Sequence, residues 1–186
     1  MKTVVIYTDG GCHGNPGPGG WAATLSSGNH YREISGAEPA TTNNRMELRA
    51  AIEALKSLKA PCAVECYTDS QYVKNGVTTW IDKWKRNGWR TKGKKAVKNE
   101  DLWRELDLAA SRHRISWNWV RGHSGFEKNE RCDVLANEAI AKIQQTFSKD
   151  RLQEALLEFT SKDAMASSEL DLFGKPKEPF SKVQSI

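Results

Sequence analysis

Residues 3–9 read TVVIYTD and residues 63–69 read AVECYTD, two β-branched and aromatic runs that close on the same tripeptide, Tyr-Thr-Asp. Both have the composition of buried strands. If they lie parallel and adjacent, Asp9 and Asp69 emerge at one carboxyl edge, where open α/β sheets hold ligands. After Asp9 the chain enters GGCHGNPGPGG, residues 10–20, which carries too many Gly and Pro for regular structure and is expected to be a loop. Residues 21–25 and 30–34 flank the turn signal Ser26-Ser27-Gly28-Asn29 and predict a hairpin. Thr41 or Thr42 caps a helix running to about residue 59, with Leu48, Ala51, Ile52, Leu55 and Leu58 on one stripe and Pro61 as its stop. Residues 115–120, ISWNWV, are a further strand; helices are expected over 71–86, 101–112 and 127–145. A hairpin followed by strands alternating with helices specifies the α/β class with a mixed sheet.

The 186 residues are 38% hydrophobic and 27% charged with seven Trp, enough for one ordinary core and too much for wholesale disorder. No apolar run approaches the ~20 residues of a membrane helix. The start of the chain reaches Asp9 after a four-residue apolar stretch, far short of a signal-peptide core, so a cytoplasmic protein without a membrane role is expected. Cys62 and Cys66 share a strand, where four residues span ~13 Å, too far for a disulfide. Reduced thiols are expected throughout.

Four carboxylates carry the chemistry. Glu47 shares a helix face with Ala51, Ala54 and Leu58, and Asp133 shares one with Ala136, Ile140 and Ile143, so two helices present an acid toward the sheet edge of Asp9 and Asp69. Each acid alone could be a cap or a surface charge. Together they cannot all ionise without cations. Oxygen-only ligands suit Mg²⁺ or Mn²⁺, and two such ions would activate a water and stabilise the leaving oxygen of a phosphodiester. His123, in the Gly-bounded VRGHSG before the helix of Asp133, is placed to shuttle a proton, with a solvated loop histidine as the alternative.

The net charge is only +5, but residues 80–98 hold eight basic side chains against Asp82 alone. A field so concentrated suits a polyanion. Lys85, Arg86, Lys94 and Lys95 are its phosphate-binding candidates. Trp80 and Trp84 interleave with the cations and either touch sugars and bases or form a packing stripe. Asn43, Asn44 and Gln71, next to the acids, suit 2′-hydroxyls and minor-groove edges. The glycine-rich segment is no dinucleotide fingerprint, because a strand and not a helix follows it.

In order and spacing, YTDGGCHGNPGPGGW (residues 7–21), TTNNRMELRA (41–50), YTDSQYV (67–73) and VRGHSGFEKNERCDVLA (120–136) resemble the signature blocks of the bacterial ribonuclease HI family. The resemblance covers residues 1 to about 145. It implies the ribonuclease H-like fold, a mixed five-stranded sheet flanked by helices, and Mg²⁺-dependent endonucleolytic hydrolysis of the RNA strand of RNA–DNA hybrids, leaving 5′-phosphate and 3′-hydroxyl ends. It assigns Asp9, Glu47, Asp69 and Asp133 as metal-binding acids, His123 as the catalytic histidine, and Asn129 to the matching helix start. It further implies that Cys12, Asn15, Asn43, Asn44 and Gln71 contact the hybrid, that Thr42 lies in a pocket for a DNA-strand phosphate, and that residues 80–98 are the family's basic protrusion. The loop after His123 varies from the family at Ser124, Phe126, Glu127 and Lys128.

Residues 146–186 form a C-terminal extension, expected as a short helix over 149–159 followed by a mobile tail from 161. Within it ELDLFG, residues 169–174, resembles the motif by which bacterial proteins bind the DNA sliding clamp, with Leu170, Leu172 and Phe173 as anchors; Glu169 replaces the usual Gln. A monomer is expected. Two rival functions share these features: another two-metal nuclease of the same scaffold acting on DNA, and a catalytically silent hybrid-binding module.

Overall fold

The computed structural model describes residues 1–122 and 125–172. Five strands, β1 (Lys2–Cys12), β2 (Gly17–Ser27), β3 (His30–Thr41), β4 (Cys62–Thr68) and β5 (Arg114–Trp119), form one sheet in the order β3-β2-β1-β4-β5. β1–β2 and β2–β3 are antiparallel, while β1–β4 and β4–β5 are parallel. The sheet is therefore mixed, as the order of elements predicts.

The side chains of β1 and β2 alternate between two cores, as the two-residue period of a strand requires. Val4, Ile6, Ala23 and Leu25 join a large apolar cluster with α1 (Asn43–Lys56) and α4 (Glu100–Ala110). Ala22 and Tyr7 face the other way, against Cys132, Leu135 and Ala136 of α5 (Glu127–Thr146). The sheet is thus covered on both faces, and the carboxyl ends of β1 and β4 open between the covering helices. All four cysteines are free thiols.

Two expectations are corrected. The glycine-rich segment is mostly strand: β1 continues to Cys12 and β2 starts at Gly17, with Gly10 opposite Trp21, Gly11 opposite Gly20 and Cys12 opposite Gly19. Ladder hydrogen bonds override the weak strand propensity of glycine there, leaving only residues 13–16 as the turn. The second correction concerns the extension. A single helix, α6 (Lys149–Leu172), continues well past residue 159. The apolar stripe ends near there, but Lys162, Ala164, Met165 and Ala166 are good helix formers and no Gly or Pro intervenes before Gly174. Leu170 and Leu172 thus fall in the last turn of α6, whereas Phe173 and His123 lie outside the described residues.

Between β4 and α4, the helical stretch expected over 71–86 is divided into α2 (Gln71–Asn75), a π-type turn (Gly76–Trp80) and α3 (Ile81–Arg86). Gly76 permits the irregularity to pack, since a side chain there would collide with the indole of Trp103. No helix among the described residues is long and apolar enough to cross a membrane.

Candidate active site

Parallel pairing matches Tyr7 to Tyr67 and Thr8 to Thr68, and the two tyrosine rings stack at 4.7 Å and 12°. The next residue of each run, Asp9 or Asp69, therefore leaves the sheet at the same edge. Glu47 arrives from the second turn of α1. The helix comes this close because residue 10 is glycine: any Cβ there would strike the backbone of Met46 and Glu47. As a result, one carboxylate oxygen from each of Asp9, Glu47 and Asp69 lies within 4.8 Å of the other two.

The cluster is largely buried. Asp9 is 9% exposed and Glu47 6%. Burial first, then the charges of Asp69 and Asp133, push the Asp9 carboxyl up to about 8, against a hydrogen bond from the Gly10 amide that favours ionisation. Glu47 is raised well above the ordinary carboxyl range by burial and by Asp9 and Asp69. Glu47 Oε2 and Asp69 Oδ1 are buried without a hydrogen-bond partner. Unpaired carboxylate oxygens in a dry site are costly, and a hard divalent cation is the species that satisfies several at once.

The fourth acid stands outside this 4.8 Å group, although its charge acts on Asp9. Asp133 is half-buried on α5, and its Oδ1 accepts a 3.0 Å hydrogen bond from Asn137 Nδ2. Asn137 Oδ1 in turn lies 3.2 Å from His13 Nε2, while His13 Nδ1 lies 3.3 Å from Gln144 Oε1. The β1–β2 turn is thus linked to the fourth acid, a role for His13 that the sequence reading did not assign. The i, i+4 spacing of Asp133 and Asn137 was the available signal.

Asp69 is held from three sides. Asn129 Nδ2 donates to its Oδ2 at 3.3 Å, and the indole Nε1 of Trp119 donates to its backbone oxygen at 3.0 Å. On the third side is Gly122, where a Cβ would stand 2.7 Å from Asp69 Oδ2. Neither Trp119 nor Gly122 stood out by residue type.

The expected substrate contacts surround this edge. Asn15 Oδ1 accepts from the Asn43 amide at 3.1 Å, serving the start of α1 in place of Thr42, whose own hydroxyl is buried and unpartnered. Cys12 Sγ donates to the Gly17 and Thr41 carbonyls. Asn44 and Gln71 are exposed. In the basic segment, Trp80 and Trp84 are half-buried in an aromatic cluster with Tyr72 and Trp103, at centroid separations of 5.2 to 5.9 Å. The packing alternative thus describes most of their surface. Lys85 is paired with Asp107 at 2.9 Å, while Arg86, Lys94 and Lys95 are exposed.

The model of the RNase H family matches residues 1–141. The ribonuclease H of Rhodopseudomonas palustris strain BisB5 is 58% identical over 142 residues, spanning 76% of this chain and 95% of that protein. That of Cupriavidus metallidurans is 59% identical over 143 residues, spanning 77% and 99%. Among solved structures, LC9-RNase H1, a type 1 RNase H with the type 2 active-site motif, superposes with a TM-score of 0.70 at 36% identity over 76% of this chain and 74% of that one. LC11-RNase H1 in complex with an RNA/DNA hybrid superposes at 0.59 with 26% identity, over 75% and 98%.

Proposed function

The chain belongs to the RNase H family, and on that premise we propose that it cleaves the RNA strand of RNA–DNA hybrids endonucleolytically, using divalent metal held by Asp9, Glu47 and Asp69 and assisted by Asp133. The observation that carries this reading is the convergence of three carboxylates, buried or half-buried, within 4.8 Å at the sheet edge. Their chemistry fits the group: the donors are all hard oxygens, two of them without a partner, and the raised Asp9 and Glu47 carboxyls mark a site whose full ionisation requires a cation. Mg²⁺ is the proposed ion, with Mn²⁺ as the substitute of similar coordination. When bound, such an ion supplies charge that activates a water and stabilises the leaving 3′-oxygen.

The chain's own residues do the rest. Asn129 holds the Asp69 carboxylate, Trp119 holds its backbone oxygen and Gly122 leaves the carboxylate room, while the buried surroundings of Glu47 exclude bulk water, so charges in the site act at full strength. Asn15, Asn43, Asn44, Gln71 and Cys12 are proposed to line the minor groove, where 2′-hydroxyls distinguish RNA from DNA. Thr42 is proposed to receive a DNA-strand phosphate, and Arg86, Lys94 and Lys95 to extend the contact along the backbone. His123 is proposed to move the proton at the leaving group, which gives 5′-phosphate and 3′-hydroxyl ends. A silent binding module gains nothing from anionic groups buried beside phosphates. The setting proposed is the cytoplasm, with the sliding clamp as a partner of Leu170, Leu172 and Phe173.

Labelled RNA–DNA, RNA–RNA and DNA–DNA duplexes, incubated with Mg²⁺ or EDTA, test the reading. Only the hybrid is cut, only in its RNA strand and only with metal, and Asp69→Asn binds the hybrid without cutting it. Cleavage of DNA–DNA instead identifies the rival nuclease, and cleavage by Asp69→Asn refutes the assignment of the acids.

A further inference from the structure

The extension lies beyond the segment that the family model matches, yet α6 folds back onto the domain and packs against β3. Among residues 149–166 of α6 the half-buried ones are Leu152, Ala155, Leu156 and Phe159, spaced i, i+3, i+4 and i+7, while 160–166 are all exposed. The exposed portion does not point into open solvent. It walls a cavity of about 360 Å³, to which the catalytic domain contributes Asn15, Thr42, Asn44 and Lys98 and α6 contributes Thr160 and Asp163. Amide, hydroxyl and ammonium donors suit a phosphate, and the buried Thr42 hydroxyl has no partner of its own. A carboxylate is the wrong group for a polyanion. Asp163 nevertheless stands there, and its charge reaches Arg45, whose guanidinium is held bidentately by Asp101 at 2.7 and 3.0 Å.

We infer that α6 is a built-in competitor for the DNA strand: Asp163 occupies the neighbourhood of the backbone phosphate, so the extension weakens hybrid binding and Asp163 sets the affinity for substrate. This inference rests on the reading of Asn15, Thr42 and Asn44 as hybrid contacts. Physically, a hybrid seated over these residues must either accept a like charge beside its phosphate or displace the end of a helix about 10 Å wide. Residues 160–166, which follow the half-buried stripe, are exposed, so this stretch can be displaced while the turns docked through Leu152, Leu156 and Phe159 stay in place. A like-charge contact at ~4 Å in water changes an equilibrium about fivefold.

Asp163→Asn and Asp163→Lys in the full chain test this, both being exposed substitutions. Binding of a fluorescent RNA–DNA hybrid is followed by anisotropy in EDTA at low and high salt, and KM is measured with Mg²⁺. At low salt Asn should tighten binding about fivefold and Lys more, both gains shrinking at high salt. The Lys variant should steepen the plot of log K against log salt by about 0.9. KM should fall in parallel, and Asp163→Glu should behave as wild type. A hybrid with neutral methylphosphonate links in the DNA strand should abolish the advantage of Asn, whereas the same links in the RNA strand should preserve it. Unchanged or weaker binding by both variants at low salt overturns the inference while hybrid cleavage by the wild type leaves the proposed function standing. A wild type that neither binds nor cuts hybrid removes both.

Discussion

Replacing Asp9 by Asn should make the metal-free protein more stable. The carboxyl is 9% exposed and is held at about 8 by burial and by Asp69 and Asp133, against an ordinary value of 3.8. For an acid raised in the folded state, no penalty exists below the ordinary value; the penalty accumulates as pH rises and is complete above the folded value. The metal-free protein therefore loses stability between about pH 4 and pH 8. Each unit of displacement is ~1.4 kcal/mol, so at pH 7 the loss through Asp9 is about 4 kcal/mol. Asn keeps the shape and can still accept the 2.8 Å hydrogen bond from the Gly10 amide, but carries no charge. For a chain of this size 1 kcal/mol moves Tm by about 2–4 °C, so Asp9→Asn in EDTA at pH 7 should melt roughly 8–16 °C above the wild type. The difference should shrink toward pH 4, and Mg²⁺ should raise the wild type more than the variant. Thermal scans by circular dichroism across this pH range, with EDTA or Mg²⁺, provide the assay. An Asn variant with unchanged or lower Tm in EDTA at pH 7 would refute the electrostatic reasoning.

Gly122→Ala places a methyl group 2.7 Å from Asp69 Oδ2. It should lower kcat/KM for hybrid about tenfold or more with little change in Tm, because it displaces a carboxylate of the proposed site and not the core. Gly76→Ala should do the reverse, since its methyl strikes the fully buried Trp103 ring; a loss of about 1–3 kcal/mol is expected in denaturant unfolding. Neutralising Arg86, Lys94 and Lys95 together should flatten the salt dependence of hybrid binding by ~0.9 in slope for each residue that touches a phosphate. Lys85→Ala should matter less, because Asp107 already holds that ammonium at 2.9 Å.

The parallel pairing of β1 and β4 was legible because the repeated tripeptide carries its own register: Tyr7 on Tyr67 places Asp9 beside Asp69. Glu47 was legible from helical period alone, since its face is otherwise small and apolar. Other features depend on partners distant in the chain. Residues 10–12 and 17–20 become strand through ladder pairing across β1, β2 and β3, which outweighs what Gly and Pro prefer locally. Spacing could not decide the role of Trp80 and Trp84, because the rings that meet them come from other elements, Tyr72 of α2 against Trp80 and Trp103 of α4 against Trp84. The length of α6 was hidden for the opposite reason. Residues 160–166 have helical propensity but no buried face, so a search for periodicity stops at Phe159. The link from His13 through Asn137 to Asp133 needs the β1–β2 turn set against α5, which no local pattern specifies.

Anomalous diffraction from crystals of the protein soaked in Mn²⁺ addresses the proposed metal site most directly. Density bounded by the carboxylates of Asp9, Glu47 and Asp69 is the predicted result, lost in crystals of Asp69→Asn. No density at that edge, in a protein that still cleaves hybrid with the same ion, would contradict it.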